Sequence, residues 1–574
     1  MRGPRGSGAW CCLPALLMLG LLAGCGKPEP KPTGTVLVSM ADNSYSPSIV
    51  HVPVGGSIVF INAGRNDHNA VAVDKSFSTE RTFGQIKMPP ESMSEVVFGS
   101  EGVFPFYCTF HATPDGKVGM TGVVVVGDVR YIPPTGERGV LAPVDKATGV
   151  TRRVPEDYPT IQNAVDAANP GDLVLINRGV YNETVFVTTP SVTLRGVDRN
   201  ETILDGRFEV GTGVMVGANG VAIENLTARN YTLNGFYWTG VSGFRGSYLT
   251  AYNNGDYGIY AFGATDGVLE HSYGSGSPDS SFYVGQCAPC RVVLDDDIGA
   301  YSGLGYSGTN SSGEMYVLRS RFEHNRTGIS TTTFDIELHP PGRETVIMGN
   351  VVTDNGMDNE AAGFYATETL AGNGIALVGT HTNRVEHNYI GRSRNHGIVI
   401  LPILDRHYWT ASGHVVKDNT IVASARADLA AGGLGTRGNC FEGNRYRSSL
   451  PWGLELLNGC RSARLPIASD LSTYMVFFGA IGQVRAGQYV LNDYKTRPAP
   501  PPQPNLPGGA DAPVRPALHA FDEHPLNLDA ITVPSAADAA RAAKHQGALV
   551  AHIHAAGIRR PATAAHAKQL IRQN

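Results

Sequence analysis

The chain has 574 residues, 69 of them Gly and 36 Pro, with only 17% charged residues and a formal net charge of −5. That length exceeds one ordinary domain. The mildly acidic balance gives a nucleic acid nothing to bind, and many Gly with few charges favour a turn-rich all-β protein over a helical one.

In chain order, Arg2 and Arg5 precede a short apolar run from Leu13 to Leu22. That run is too short for an ordinary membrane span and reads as an export signal. Leu22-Ala23-Gly24-Cys25 resembles a bacterial lipobox, which implies cleavage before Cys25 and lipidation of its thiol. Residues 1–25 are thus expected to be a lipoprotein signal peptide and 26–34 a tether. The protein is expected to be exported and lipid-anchored to a bacterial membrane, facing the periplasm or the cell exterior.

Residues 35–127 hold short alternating runs such as TVLVSM, SIVFIN and SEVVFG. They predict the strands of a compact β-sandwich. A Pro/Gly-containing linker, 128–150, follows. In VPEDYPTIQNAVDAANPGDLVLIN, Thr160 can cap a short helix whose apolar face is Ile161, Ala164, Val165 and Ala168. Pro170-Gly171-Asp172 ends that helix. From there to about 465 the chain repeats a short apolar run, an Asn, a few residues and Asn/Gly, as in VAIENLTARN, SRFEHNRTGIS and VVKDNTIVAS. Strands this short bury a face only when stacked as coils around a shared core. Residues 466–574 form a C-terminal extension with a Pro-rich linker, PAPPPQPNLPGG, and an Ala-rich tail whose histidines carry no expected role.

Residues 151–465 resemble the right-handed parallel β-helix proteins of the pectin-lyase-like class, and the helix-then-PGD opening looks like their N-terminal cap. They also resemble the periplasmic proteins that accompany nitrous oxide reductase maturation, which implies a copper-associated scaffold.

Eight cysteines are present. With Cys11, Cys12 and Cys25 assigned to the signal and anchor, five remain, so one thiol is odd in an oxidising compartment. Cys287-x-x-Cys290 could be redox-active, a metal clip or a structural disulfide, and the lack of a surrounding βαβ pattern favours the disulfide. Cys440 and Cys460 are expected to staple the C-terminal cap, with Phe441, Leu450, Trp452, Leu454 and Leu456 folding over the last coil; the competing pairing joins one of them to Cys287 or Cys290.

The odd thiol, Cys108, lies in FYCTFHATPDGKVGM with His111 and Met120, and His68 follows the strand-and-turn stretch SIVFINAGRND. Thiolate, imidazole and thioether form a soft donor set that suits copper cycling between two oxidation states. Zinc would leave the Met unexplained. The order His … Cys-x-x-His … Met resembles the plastocyanin-like cupredoxins, whose fold is a Greek-key sandwich. That resemblance implies one type 1 (blue) copper held by His68, Cys108 and His111, with Met120 as weak axial ligand. It also implies Asn69 as a brace beside the first His, and His111 as an exposed electron port. The eight residues between His111 and Met120 make the loop longer than is common in that family. Met40, Met88 and Met93 lie outside the ligand loop.

In the repeats, three polar clusters invite a catalytic reading: Asp295, Asp296 and Asp297; Asp335, Glu337, His339 and Arg343; and Asp405 to Trp409. Acids and bases in one groove would suit a polysaccharide lyase or hydrolase. The same residues equally populate coil corners and exposed loops, and the catalytic residues are left unassigned. The reading favoured is a one-electron carrier or copper-handling protein with the β-helix as scaffold and a redox partner protein at the membrane surface. A glycan-binding or glycan-cleaving β-helix with an accessory cupredoxin is the alternative.

Overall fold

The computed structural model describes residues 34–41, 43–64, 67–80, 87–131, 142–147, 149–357, 361–363, 365–461, 469–485 and 492–537. The signal segment with Cys25 and the Ala-rich tail lie outside them.

The first unit is a sandwich of two four-stranded sheets. One sheet is ordered β2 (Ser44–Ser46), β1 (Thr35–Ala41), β4 (Ser57–Asn62), β6 (Met93–Val97). The other is ordered β3 (Ile49–Val52), β8 (Gly119–Val126), β7 (Gly102–Ala112), β5 (Val71–Ala72). Alternation drives the assembly: in β6, Ser94 and Val96 point inward while Met93, Glu95 and Val97 face solvent. Val38, Ile58, Phe60, Phe106 and Val124 fill the core at 0% exposure. Each such side chain contributes roughly 1.5–3 kcal/mol relative to an exposed one.

The second unit is a parallel β-helix. Three sheets of twelve, ten and eleven strands run its length, each built by in-register parallel pairing of one strand per coil. The first sheet begins at Thr151–Val154, the second at Gly179–Tyr181 and the third at Val185–Val187. As expected, Thr160 Oγ1 caps the opening helix Ile161–Asp166 by accepting from Asn163 N, and Ile161, Ala164 and Val165 are buried over the first coil.

Asn recurs because the corners are built as ladders. The Ser320 N–H donates to Asn350 Oδ1, Asn350 N–H to Asn388 Oδ1, Asn388 N–H to Asn419 Oδ1 and Asn419 N–H to Asn444 Oδ1, each at 2.9–3.1 Å. Each rung thereby satisfies a buried backbone donor that the sheets leave over at the bend. Coil length is 23 residues between Leu249 and Ser272 and grows to 38 between Asn350 and Asn388, where loops are inserted.

At the far end Cys440 and Cys460 are joined. Phe441 and Leu454 enter the core, but Trp452 and Leu456 stay 85% and 78% exposed, so the cap is smaller than the sequence suggests. A helix at Leu471–Arg485, without counterpart in the sequence reading, lays Tyr474 and Phe477 on the outer face of the third sheet. The Pro-rich stretch does not hang free. It lies along the corner between the first and second sheets, where the Leu506 N–H donates to Asn225 Oδ1 and the Arg199 guanidinium donates to Pro504 O.

The sandwich docks on the outer face of the third sheet. Val118 packs against a cluster containing Met215, Tyr237 and Tyr260, and Asn43 Nδ2 donates to the Tyr260 hydroxyl. A Cβ at Gly217 would overlap Val118, so the close approach requires glycine there.

Candidate metal centre

Two pairing patterns bring the site together. β5 pairs Val71 with Tyr107 and Ala72 with Phe106, which sets the chain just before β5 beside Cys108. That chain carries His68, itself held by reciprocal backbone bonds with Met88 at 3.1 and 2.7 Å. In the β7–β8 hairpin, Tyr107 pairs with Thr121 and Ala112 with Gly119. Between those pairs Cys108 to His111 bulge out opposite Met120. A bulge turns adjacent side chains toward one point, a common device at functional sites.

The result is a buried cluster. His68 Nδ1 and His111 Nδ1 lie 3.1 Å apart, and the Cys108 sulfur is 3.5 Å from His111 Nδ1 and 3.9 Å from His68 Nδ1. The three donor atoms fall within 4.8 Å of one another, close enough to hold one metal ion. Exposure is 0% for His68 and Cys108 and 1% for His111 and Met120. Burial alone would push the Cys108 thiol up, but the charge of His111 and hydrogen bonds from both imidazoles outweigh it and bring it down to about 5. Met120 and Met88 both lie in the same core cluster as Cys108.

Asn69 fixes the bulge. Its Oδ1 accepts from Thr109 N at 2.8 Å, its Nδ2 donates to Thr109 Oγ1 at 2.7 Å, and its carbonyl accepts from Tyr45 Oη. Thr109 follows Cys108 directly, so the side chain next to the first histidine sets the ligand loop.

One expectation is corrected. His111 is not an exposed port: the loop that carries it is pressed on the β-helix. The Pro114-Asp115-Gly116 turn, closed by Gly116 N–H to Thr113 O and Thr113 N–H to Val118 O, lets the longer loop return to Met120 while Val118 docks. Tyr237, beneath that loop, has its hydroxyl pushed up by burial and, to a lesser degree, by the Cys108 thiolate.

The β-helix clusters resolve differently. Asp297 is a ladder rung, fully buried, accepting from Ser272 N at 2.8 Å, and burial pushes its carboxyl well up. Asp295 is engaged by Arg319 and His524, and Asp296 by His271. Glu337 accepts from Tyr283 Oη at 2.7 Å. His339 stays exposed, and Arg343 bonds back to Pro341 O at 3.2 Å. The other two sequence clusters do meet: Asp335 accepts from His407 Nδ1 at 2.8 Å and from Trp409 Nε1 at 3.1 Å, while Asp405 accepts from Asp335 N. Cys287 and Cys290 are joined inside the coil core, with Cys290 Sγ accepting from Ser312 N.

No family model matches the chain, and no curated protein matches it either. Among solved structures, the A-module of the Azotobacter vinelandii mannuronan C-5 epimerase AlgE4 aligns at 15% identity over 50% of this chain and 90% of its own, with a TM-score of 0.38. A purple cupredoxin from Nitrosopumilus maritimus aligns at 24% identity over 16% of this chain and 98% of its own, with a TM-score of 0.13. The reduced state of an amicyanin mutant aligns at 28% identity over 16% of this chain and 82% of its own, also at 0.13. Scores this low add nothing to what the strand topology already shows, namely a parallel β-helix beside a small β-sandwich.

Proposed function

We propose that the protein is an exported, lipid-anchored copper protein that transfers single electrons or handles copper. His68, Cys108 and His111 are the equatorial ligands of one type 1 copper, and Met120 is the weak axial ligand. The observation that carries this reading is the convergence of two imidazole Nδ1 atoms and an acidified thiol at one buried point. Two Nδ1 atoms facing each other across 3.1 Å need a shared proton or a shared cation between them. Thiolate, imidazole and thioether sulfur select a soft ion that changes charge. Copper there supplies one-electron redox chemistry. The chain's contribution is a preformed, water-excluded donor set that needs little rearrangement. Since His111 is covered, a redox partner protein at the membrane surface would have to exchange electrons through the sandwich wall or the β-helix beneath. The β-helix is then the scaffold and partner surface.

Titrating the purified chain with Cu(II) tests this. An intense visible band from sulfur-to-copper charge transfer should saturate at one equivalent, and Cys108→Ala should abolish it. Colour that survives in Cys108→Ala overturns the assignment.

The Asp335–His407 pair favours a second reading, glycan binding or cleavage on the β-helix. Asp335 is nearly buried and orients an imidazole that is 74% exposed, next to an indole suited to stack on a sugar ring. If that reading holds, His407→Ala should abolish turnover of a glycan that the wild-type chain degrades, with the copper band unchanged.

A further inference from the structure

The outer face of the third sheet changes character along one register column. Under the sandwich it is aromatic, with Tyr237, Tyr260 and Tyr283 on successive coils and ring centroids 4.7 and 4.9 Å apart. Under the helix Leu471–Arg485 it is aliphatic, with Ala376, Val399 and Ala430. Between these stretches the same column carries Ser307 and Ser330.

Over the two serines lies a cavity of about 390 Å³. That volume is in the range of small-molecule sites. Its walls come from three directions. Phe334 and Leu404 stand on the loops that carry Asp335 and His407, Phe477 and Ile481 come from the C-terminal helix, and Glu91 reaches in from the sandwich.

Three features define an occupant. The walls are mostly apolar, and two of them are aromatic. Ser330 lines the cavity, and its fully buried Oγ has no hydrogen-bond partner among the described residues. A buried hydroxyl without a partner is costly, and a ligand hydroxyl would relieve it. Among the described residues of the lining, the charged ones are Glu91 and Asp279, both acidic. An anion, such as a uronate, a phosphate or a fatty acid, would therefore meet repulsion from these two carboxylates. The lining also carries the hydroxyls of Ser307, Thr332, Thr367 and Thr369, but a neutral sugar has hydroxyls around its whole rim, and the aliphatic walls at Leu304, Ile403 and Val484 offer those nothing.

We propose that this cavity is a binding site for a neutral hydroxylated aromatic ring of the phenol or hydroquinone class. The ring lies against Phe334 and Phe477, and its hydroxyl reaches the floor at Ser330. The site is separate from the metal centre, and its occupancy does not depend on the copper reading.

The test uses the full chain without added metal, so that it succeeds or fails independently of copper. Binding of 1-naphthol, a fluorescent neutral phenol, is followed by its emission, with phenol, octanoate and cellotriose as competitors. The wild type should bind one equivalent. Ile481→Trp, a change on the partly exposed face of a helix, should fill the cavity and weaken binding by about tenfold or more. Ser330→Ala should weaken it about fivefold, the loss expected for one ordinary hydrogen bond. Thermal melting of both variants checks that they fold. Absence of binding to the wild type, affinity unchanged in both folded variants, or displacement of naphthol by octanoate or cellotriose at lower concentration than by phenol would each overturn the proposal.

Discussion

The sandwich and the β-helix both bury polar chemistry, and they treat it in opposite ways. In the β-helix buried carboxylates are answered by structural partners. Glu224 sits between Arg195 and Arg245, Asp295 between Arg319 and His524, and Asp297 in a corner ladder. Asp335, whose partner His407 is exposed, is the exception among the sequence clusters. In the sandwich a thiol and two imidazoles are gathered at one point with their donor atoms turned toward each other. Three adjacent aspartates and a Cys-x-x-His look equally promising as strings of letters. What separates them is whether the fold answers each polar group with a structural partner or turns several groups toward the same point.

The largest effect that could break this contrast is expected at Glu224. Its side chain is 1% exposed and holds Arg195 at 2.8 Å and Arg245 at 3.0 Å. Glu224→Ala would leave two buried guanidinium groups without that carboxylate, which should cost about 3–5 kcal/mol. The urea midpoint of the β-helix should fall accordingly, while the copper band, measured below that midpoint, stays at one equivalent. Loss of the band together with the β-helix transition would mean that the two regions form one cooperative unit.

Next in size is an acid effect confined to the β-helix. His414 occupies a ladder position, with Asn383 N–H donating to its Nδ1 and its own N–H donating to Asn439 Oδ1. Burial, with a smaller contribution from His381, brings His414 down to about 3. Burial also brings His396 down to about 4. Both stay neutral in the fold at a pH where the unfolded chain binds protons. Their contribution is therefore complete above about pH 6.5 and is lost as pH falls toward 4, at about 1.4 kcal/mol per pH unit for each. The raised carboxyl of Asp297 works in the opposite sense. A difference measurement removes it: His414→Asn, which keeps the ladder chemistry of its neighbours, should flatten the stability slope between pH 6.5 and 4.5 by about 1.4 kcal/mol per unit. An unchanged slope would show that His414 titrates normally in the fold.

How much of this was legible in the sequence follows from the range of the contacts involved. The repeat, the Thr160 cap and the Cys108, His111 and Met120 loop are local patterns, and they could be read. His68 was readable too, because a strand and turn precede it. The docking of Val118 and Asn43 was not: Asn43 and Tyr260 lie 217 positions apart, and nothing near either predicts the other. For the same reason the burial of His111, the packing of the Pro-rich stretch and the helix over the third sheet stayed hidden. The meeting of Asp335 with His407, 72 positions away, was also out of reach, although each belonged to a cluster that had been singled out.

The smallest effect sharpens the metal side of the comparison. The side chain of Asn69 makes two hydrogen bonds with Thr109 and so sets the angle at which the Cys108 side chain projects from β7. If the site is held in advance by such second contacts, Asn69→Ala should keep the colour but lower copper affinity about 10–100-fold, as loss of an orienting partner does at other metal sites. A competing chelator of known affinity reads this directly. The urea midpoint of the β-helix should not move, because Asn69 bonds to Thr109 and Glu80 of the sandwich. Affinity that stays within a factor of about two would mean that the hairpin bulge alone aligns the ligands and that the two hydrogen bonds are incidental. A bleached site would mean that Asn69 holds the loop itself in place, a heavier role than its position beside the first histidine implies.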